Sequence, residues 1–212
     1  MKTLIFNLIL SLVSGYCFAQ PNNPYNQRGI DYTNSVNMIT SDFNAGKVKE
    51  FNDETVSQYS KLIPLQNQAS MEMVTTIMKT VKAPGFSITN VIDNGPAADY
   101  TKQTLKEFLN PKNLSTDDLK RMLTGKVDEI TKARIPQTEK EFLLSMSAIV
   151  YNNLANPGTR RAECGITTGE NTTNIPCSVA GAVIGGTIGL YICGIWCALG
   201  GAVVGAIIGS VC

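Results

Sequence analysis

Apolar residues recur at helical spacing through the central part of the chain, from residue 37 to residue 156. In SMEMVTTIMKTV they lie three and four positions apart on one stripe, and the helix that they predict stops at Ala83-Pro84-Gly85. The same spacing returns in DYTKQTLKEFLNP, in LSTDDLKRMLTGKVDEITKA and over residues 137 to 154, and more weakly in DETVSQYSKLIPL. Four or five amphipathic helices with short connections predict an all-α protein built on a small helical bundle.

The segments on either side of this bundle are polar and have no apolar period. Residues 20 to 36 hold two prolines and few apolar side chains, which predicts a disordered amino-terminal segment. Residues 157 to 176 are rich in glycine, proline, threonine and asparagine, which predicts a linker between the bundle and the tail of the chain.

The first nineteen residues, MKTLIFNLILSLVSGYCFA, have the layout of a secretory signal peptide. Lys2 supplies the positive start, the apolar run is too short to span a bilayer, and small residues precede the expected cleavage point after Ala19. A lipoprotein signal acylated at Cys17 is an alternative, although Tyr16 is bulky for the position before that cysteine. We therefore expect a mature chain that begins at Gln20 and is exported, either to the cell envelope (outer membrane or periplasm) or to the medium.

The tail of the chain, residues 177 to 212, carries no charge and contains two copies of one unit. CSVAGAVIGGTIG and CALGGAVVGAIIG agree at seven of thirteen positions, which indicates an internal duplication. Both copies space their glycines by four residues, so that on a helix the glycines form a groove without side chains. In lipid such a groove permits close helix packing. The predicted packing residues are Gly181, Gly185, Gly189, Gly201, Gly205 and Gly209.

Cysteines stand at both ends of each copy. Because the chain is expected to enter an oxidising compartment, we expect its cysteines to form disulfides. An antiparallel hairpin would bring Cys177 next to Cys212 and Cys193 next to Cys197. We predict these two pairs, which leaves Cys164 free or intermolecular. The spacing of Cys193 and Cys197 would also suit a metal ion, but no histidine supports such a site and the surroundings are apolar, so no metal is expected.

A membrane location is favoured for this hairpin. The apolar stretch of each copy measures about 21–23 Å as a helix, whereas a bilayer core needs about 30 Å. Two short transmembrane helices with a turn at residues 193 to 197 would suit a thinned bilayer or an oligomer. A glycine-rich hairpin buried in a soluble core and a β-structure are the alternatives. The bundle is expected to fill its own core, which would leave nothing amphipathic to cover the tail.

Composition removes several functional classes. The net charge is +1 and the chain has no histidine, so there is neither a basic face for nucleic acid nor the commonest general base and metal ligand. Asp117 and Asp118 could be a catalytic carboxylate pair, but a helix amino terminus explains them better. Arg160 and Arg161 form a dibasic pair in the linker and are a candidate processing site, with two solvated arginines as the alternative. No cofactor or small-molecule substrate is expected.

Two resemblances concern the tail. GAVIGGTIG and GAVVGAIIG, separated by a short break, resemble the glycine-zipper units of bacterial envelope proteins, including the two-helix zipper domain of 17-kDa surface antigens. The bracketing cysteines depart from that pattern. The layout of signal, helical domain, linker with Arg160 and Arg161, and apolar cysteine-bracketed tail is similar to that of halocin-type and related bacteriocin precursors. These resemblances imply a membrane-active or membrane-anchored tail, and residues 20 to 156 resemble no family.

Two functions remain open at this level. The first is an exported, non-enzymatic, bacteriocin-like or toxin-like precursor, whose tail inserts in lipid bilayers and self-associates as a homo-oligomer. In that case the helical domain would keep the tail soluble or confer immunity. The second is an envelope-anchored structural or interaction protein with the tail as a permanent anchor. An enzyme would need a polar site, and the sequence offers none.

Overall fold

The computed structural model describes the chain between residues 19 and 205, with gaps. The described residues are 19–47, 52, 54–55, 58, 71–81, 83–110, 114–155, 163–168, 171–193, 201–202 and 205. The elements within them are α1 (Asn26–Asn44), α2 (Met71–Val81), α3 (Ile88–Asn94), α4 (Asp99–Leu109), α5 (Thr116–Lys132), α6 (Gln137–Ala155), β1 (Glu163–Thr168), β2 (Asn171–Pro176) and α7 (Cys177–Cys193). The fold is all-α, as predicted, apart from one short β-hairpin.

Helix α6 is the central element. Its residues 142 to 150 are buried without interruption, and none of them is charged. Helices α1, α4, α5 and α7 all contact it. A helix that is surrounded on all sides needs apolar residues around its whole circumference. Its buried hydroxyl groups are those of Ser145 and Ser147, and each one takes part in a hydrogen bond with the amino-terminal part of the chain.

The prediction of a disordered segment at residues 20 to 36 is wrong. Helix α1 covers most of it, and Tyr32, Val36 and Ile39 are buried on the side that faces the core. Few apolar residues are needed because α1 approaches α6 closely at Gly29. A Cβ atom at that position would lie 2.5 Å from the carbonyl carbon of Ala148. The helix is also joined to α6 by an ion pair of 2.7 Å between Arg28 and Glu141.

The amino terminus of α5 has the expected capping arrangement. The Ser115 side chain accepts a hydrogen bond from the backbone amide of Asp118, and the Ser115 hydroxyl lies 2.6 Å from the Asp118 carboxylate. Hydrogen bonds from Ser115 and Arg121 lower the pKa of the Asp118 carboxyl. Asp118 therefore belongs to a helix cap, which is the explanation that the sequence favoured over a catalytic pair.

The segment predicted as a linker contains regular structure. Strands β1 and β2 pair antiparallel, with Glu163 opposite Pro176 and Thr168 opposite Asn171. Threonine favours extended backbone, and four threonines fall within the two strands and the residues that join them. The hairpin leads directly into α7 and contacts it.

The tail is not separate from the bundle, which corrects a second expectation. One hydrophobic core joins residues from α1 and from α3 to α6 with residues of the tail. The tail contributes Val179, Ala180, Ala182, Val183 and Ala202 to this core. Helix α7 contacts α2, α3, α4 and α6. The amphipathic helices upstream therefore bury part of their apolar surface against the tail as well as against one another.

The close approach at Gly29 gives a test of the α1–α6 contact. Gly29→Ala should destabilise the protein by about 1–3 kcal/mol, because the new methyl group overlaps the α6 backbone. Gly125→Ala is the matched control, since nothing lies within 4 Å of a Cβ atom built there in the interior of α5. It should stabilise by about 1 kcal/mol through helix propensity. Urea unfolding measures both, and equal effects of the two substitutions would contradict the packing.

Candidate functional site

Helix α7 is buried or half-buried on every side over residues 179 to 190. It runs for 17 residues without a charge, and none of its residues from 179 to 190 is exposed. Its single hydroxyl in that stretch, Thr187 Oγ1, donates 2.7 Å to the backbone oxygen of Val183 and so presents no unsatisfied polar group. A helix without a polar face is stable only when other protein elements or lipid cover it. In this structure the bundle and the second copy of the repeat cover it.

Glycines bring the two copies of the repeat into backbone contact. Gly201, Ala202 and Gly205 are helical. A Cβ atom at Gly185 would overlap the carbonyl oxygen of Gly201 and would lie 2.9 Å from Cα of Gly205. A Cβ atom at Gly205 would in turn overlap the carbonyl oxygen of Gly181. The two helical segments can therefore approach this closely only because these positions carry no side chain.

The glycine contacts define an antiparallel register. Position 185 meets position 201, and moving four residues back along α7, to 181, moves the contact four residues forward, to 205. A Cβ atom at Gly201 would also lie 3.3 Å from Cα of Gly189. The structure thus brings together five of the six predicted packing glycines, and Gly209 lies outside the described residues. The zipper joins the two copies of the repeat within one chain.

The length and apolar character of the described helices bear on the expected transmembrane hairpin. Among the residues that the structure describes, no helix combines the length and the apolar character needed to cross a bilayer. Helix α7 measures about 25 Å at 1.5 Å per residue, which is shorter than a bilayer core of about 30 Å.

The cysteine positions are described only in part. Cys177 is disulfide-bonded and 3% exposed, at the start of α7. Cys197 and Cys212 lie outside the described residues, and the backbone of Cys164 lies in β1. The backbone of Cys193 ends α7. Arg160 and Arg161, the candidate processing residues, also lie outside the described part of the chain.

A cluster of buried carboxamides escaped the sequence analysis. Gln20 is 2% exposed, and its Nε2 atom donates 2.9 Å to the backbone oxygen of Leu123 and 2.8 Å to Ser147 Oγ. Asn23 Nδ2 donates 2.6 Å to Gln20 Oε1 and 2.8 Å to the backbone oxygen of Leu144. The start of the expected mature chain is thus bound to α5 and α6. Its polar residues suggested disorder because nothing in a local pattern reveals partners more than 100 residues away.

Lys126 forms ion pairs within α5 and between α5 and α4. Lys126 on α5 lies 2.7 Å from Glu107 on α4 and 2.7 Å from Glu129 on its own helix. Burial lowers the pKa of the Lys126 ammonium, but the two carboxylates outweigh this and leave the pKa above its usual value. In the described ranges, no group of three or more potential ligand side chains could hold a metal ion.

Comparisons with known proteins add no relative. The chain matches no family model, and neither curated proteins nor solved structures yield a significant match. The function therefore has to be inferred from the tail and from the elements that cover it.

A double-mutant cycle tests the glycine contact. Gly185→Ala and Gly201→Ala should each destabilise the chain by about 1–3 kcal/mol, because each methyl group meets backbone atoms that cannot rotate away. The double variant should cost less than the sum of the two, since both methyl groups separate the same pair of segments. Urea unfolding provides the free energies, with Gly125→Ala as the control for an alanine without contacts. Strict additivity would argue against a shared contact.

Proposed function

We propose that the protein is an exported, non-enzymatic precursor whose helical bundle stores an apolar glycine-zipper hairpin in soluble form. Once released, the hairpin inserts into lipid bilayers, as a bacteriocin-like or toxin-like peptide would. The observation that carries the proposal is the burial of the uncharged helix α7 over residues 179 to 190, none of which is exposed. A helix of this kind cannot face water by itself, so the bundle supplies the cover that lipid would supply after release.

The distribution of contacts supports storage over a simple tether. A membrane anchor needs no apolar partners on the soluble domain, whereas Val179, Ala180 and Val183 on α7 share one core with α3, α4 and α6. The tail and the bundle therefore hold each other in place. Release would expose apolar surface on both, and lipid is the environment that can cover such a surface on a hairpin without charge.

Self-association of the tail needs a further step. The glycine groove of α7 is occupied by the second copy of the repeat in the same chain. A homo-oligomer built on the same glycines therefore requires the hairpin to open and to exchange its halves between chains, or it must use the apolar face that the bundle covers in the stored form. We propose the second route, because it leaves the disulfide-stapled hairpin intact.

The glycine register favours the two predicted disulfides. Extending the contacts of 185 with 201 and of 189 with 201 along an antiparallel hairpin would place residue 177 opposite residues 209 to 212. The same extension would place residue 193 opposite residues 194 to 197. Cys212 falls in the first interval and Cys197 closes the second. The competing partner for Cys177 is Cys164. Cys164 pairs with Ile175 across the β-hairpin, and Ile175 lies only two residues before Cys177.

Peptide mapping of the oxidised full chain tests this pairing. Digestion without reduction should yield fragments linked through Cys177–Cys212 and Cys193–Cys197. The variant Cys164→Ser should retain both bonds, because Cys164 takes part in neither. A fragment that links Cys164 to Cys177 would contradict the register, and loss of the Cys177 bond in the Cys164→Ser variant would do so independently.

Release and membrane activity can be tested with the whole chain. Intact protein should leave dye-loaded vesicles of phosphatidylethanolamine and phosphatidylglycerol sealed, because the tail is covered. Cleavage by a protease specific for paired basic residues should cut at Arg160-Arg161 and cause leakage at micromolar protein. The chain contains a second paired-basic sequence, Lys120-Arg121, within α5, and its helical backbone should resist the protease.

The matched control replaces both linker arginines by alanine. Arg160→Ala with Arg161→Ala should fold normally, resist the protease and cause no leakage. Cleaved protein that leaves vesicles sealed would contradict the proposal. Mass spectrometry of membranes and culture fluid then separates the two functions: a disulfide-bonded fragment that begins near Ala162 supports the precursor, whereas intact chain alone in the envelope supports a permanent anchor.

A further inference from the structure

Gln20 lies in a cluster of hydrogen-bonded polar groups that precedes α1. Its backbone nitrogen donates 2.8 Å to Asn26 Oδ1, which also accepts a hydrogen bond of 2.9 Å from Asn152 Nδ2 on α6. Its side-chain amide donates to Leu123 and Ser147, and its side-chain oxygen accepts from Asn23. Every polar atom of the carboxamide therefore has a partner within the protein.

An amino-terminal glutamine is chemically unstable. Its α-amino nitrogen can attack the side-chain carbon Cδ, so that a new C–N bond closes a five-membered lactam and the Nε2 group leaves as ammonia with a proton taken from the amine. The product, pyroglutamate, has no terminal positive charge and no carboxamide NH₂ group. The reaction needs no co-reactant, but it requires Cδ and the amine to approach each other and Nε2 to depart.

We propose that Gln20 is the amino-terminal residue of the mature protein and that the fold keeps it as unmodified glutamine by blocking this cyclisation. The proposal rests on the export part of the proposed function, because only removal of the preceding residues creates a terminal amine at Gln20. It assigns a protective role to a cluster of buried amides that neither the glycine zipper nor the disulfides explain.

Two physical effects provide the protection. Nε2 must give up its hydrogen bonds to Leu123 and Ser147 before it can leave, and pyroglutamate has no donor to replace them. The backbone nitrogen of Gln20, which would have to attack Cδ, is also held 2.8 Å from Asn26 Oδ1 and must leave that acceptor first. Two net hydrogen bonds correspond to a cyclisation about 10- to 30-fold slower in the folded chain than in the unfolded chain.

The experiment uses the mature full chain, residues 20 to 212, with Gln20 released as the first residue by removal of an amino-terminal tag. Native protein and protein in urea are incubated side by side, and intact mass spectrometry follows the loss of one ammonia from the terminal peptide. We expect the native chain to cyclise at least about tenfold more slowly. Equal rates in the two states would overturn the proposal.

Two variants make the test specific to the cluster. Ser147→Ala removes one acceptor of Nε2 and should speed cyclisation of the folded chain about fivefold. Thr124→Ala is the control, because its hydroxyl donates to the backbone oxygen of Lys120 on its own helix. Cooperative unfolding confirms that each variant is folded, and if Ser147→Ala does not fold, the comparison of native and denatured chains still decides.

The exported protein provides a second readout. Its amino-terminal peptide should begin with unmodified Gln20. A pyroglutamate terminus, or a mature chain that begins at another residue, would overturn the inference while leaving vesicle leakage after cleavage at Arg160-Arg161 unaffected. Failure of the leakage assay would in turn leave the cyclisation rates unaffected, so the two proposals fail independently.

Discussion

Backbone contact between glycines is the constraint from which the arrangement of the tail follows. Gly185 and Gly201 can meet only where neither carries a Cβ atom, and this closeness leaves no room for a polar side chain or water between the two segments. Each segment therefore has one face against the other and its remaining surface apolar. Because that surface carries no charge, it must be covered, and the choice lies between lipid and protein.

The central helix of the bundle, α6, contacts both the amino-terminal helix α1 and the tail helix α7. Helix α6 is buried over residues 142 to 150 and packs against α1 on one side and α7 on another. Its polar residues Ser145, Ser147 and Asn152 all bond to the amino-terminal segment. Polar contacts thus join α6 to the start of the chain, whereas apolar contacts join it to the tail.

Helix position along the chain was largely predictable, and helix packing was not. The stripes in 70–81, 99–111 and 114–133 coincide with α2, α4 and α5, because an amphipathic helix shows its period in local sequence. Helix α1 was missed because it buries few apolar side chains. Its close contact with α6 depends on Gly29, and the role of that glycine is visible only when α6 is in place. The β-hairpin was missed because its two six-residue strands are rich in threonine and asparagine and lie among glycine and proline, a composition that also predicts a linker.

The sequence by itself determined that the tail is a duplicated, uncharged unit with glycines every fourth residue, and that it should fold back on itself. Charge and glycine spacing are local properties, and they hold whichever partner covers the helix. Only the tertiary structure decided that the partner is the bundle. The apolar faces of α3, α4 and α6 could have closed on one another or on α7, and the outcome depends on whether their shapes and volumes match across contacts far apart in sequence.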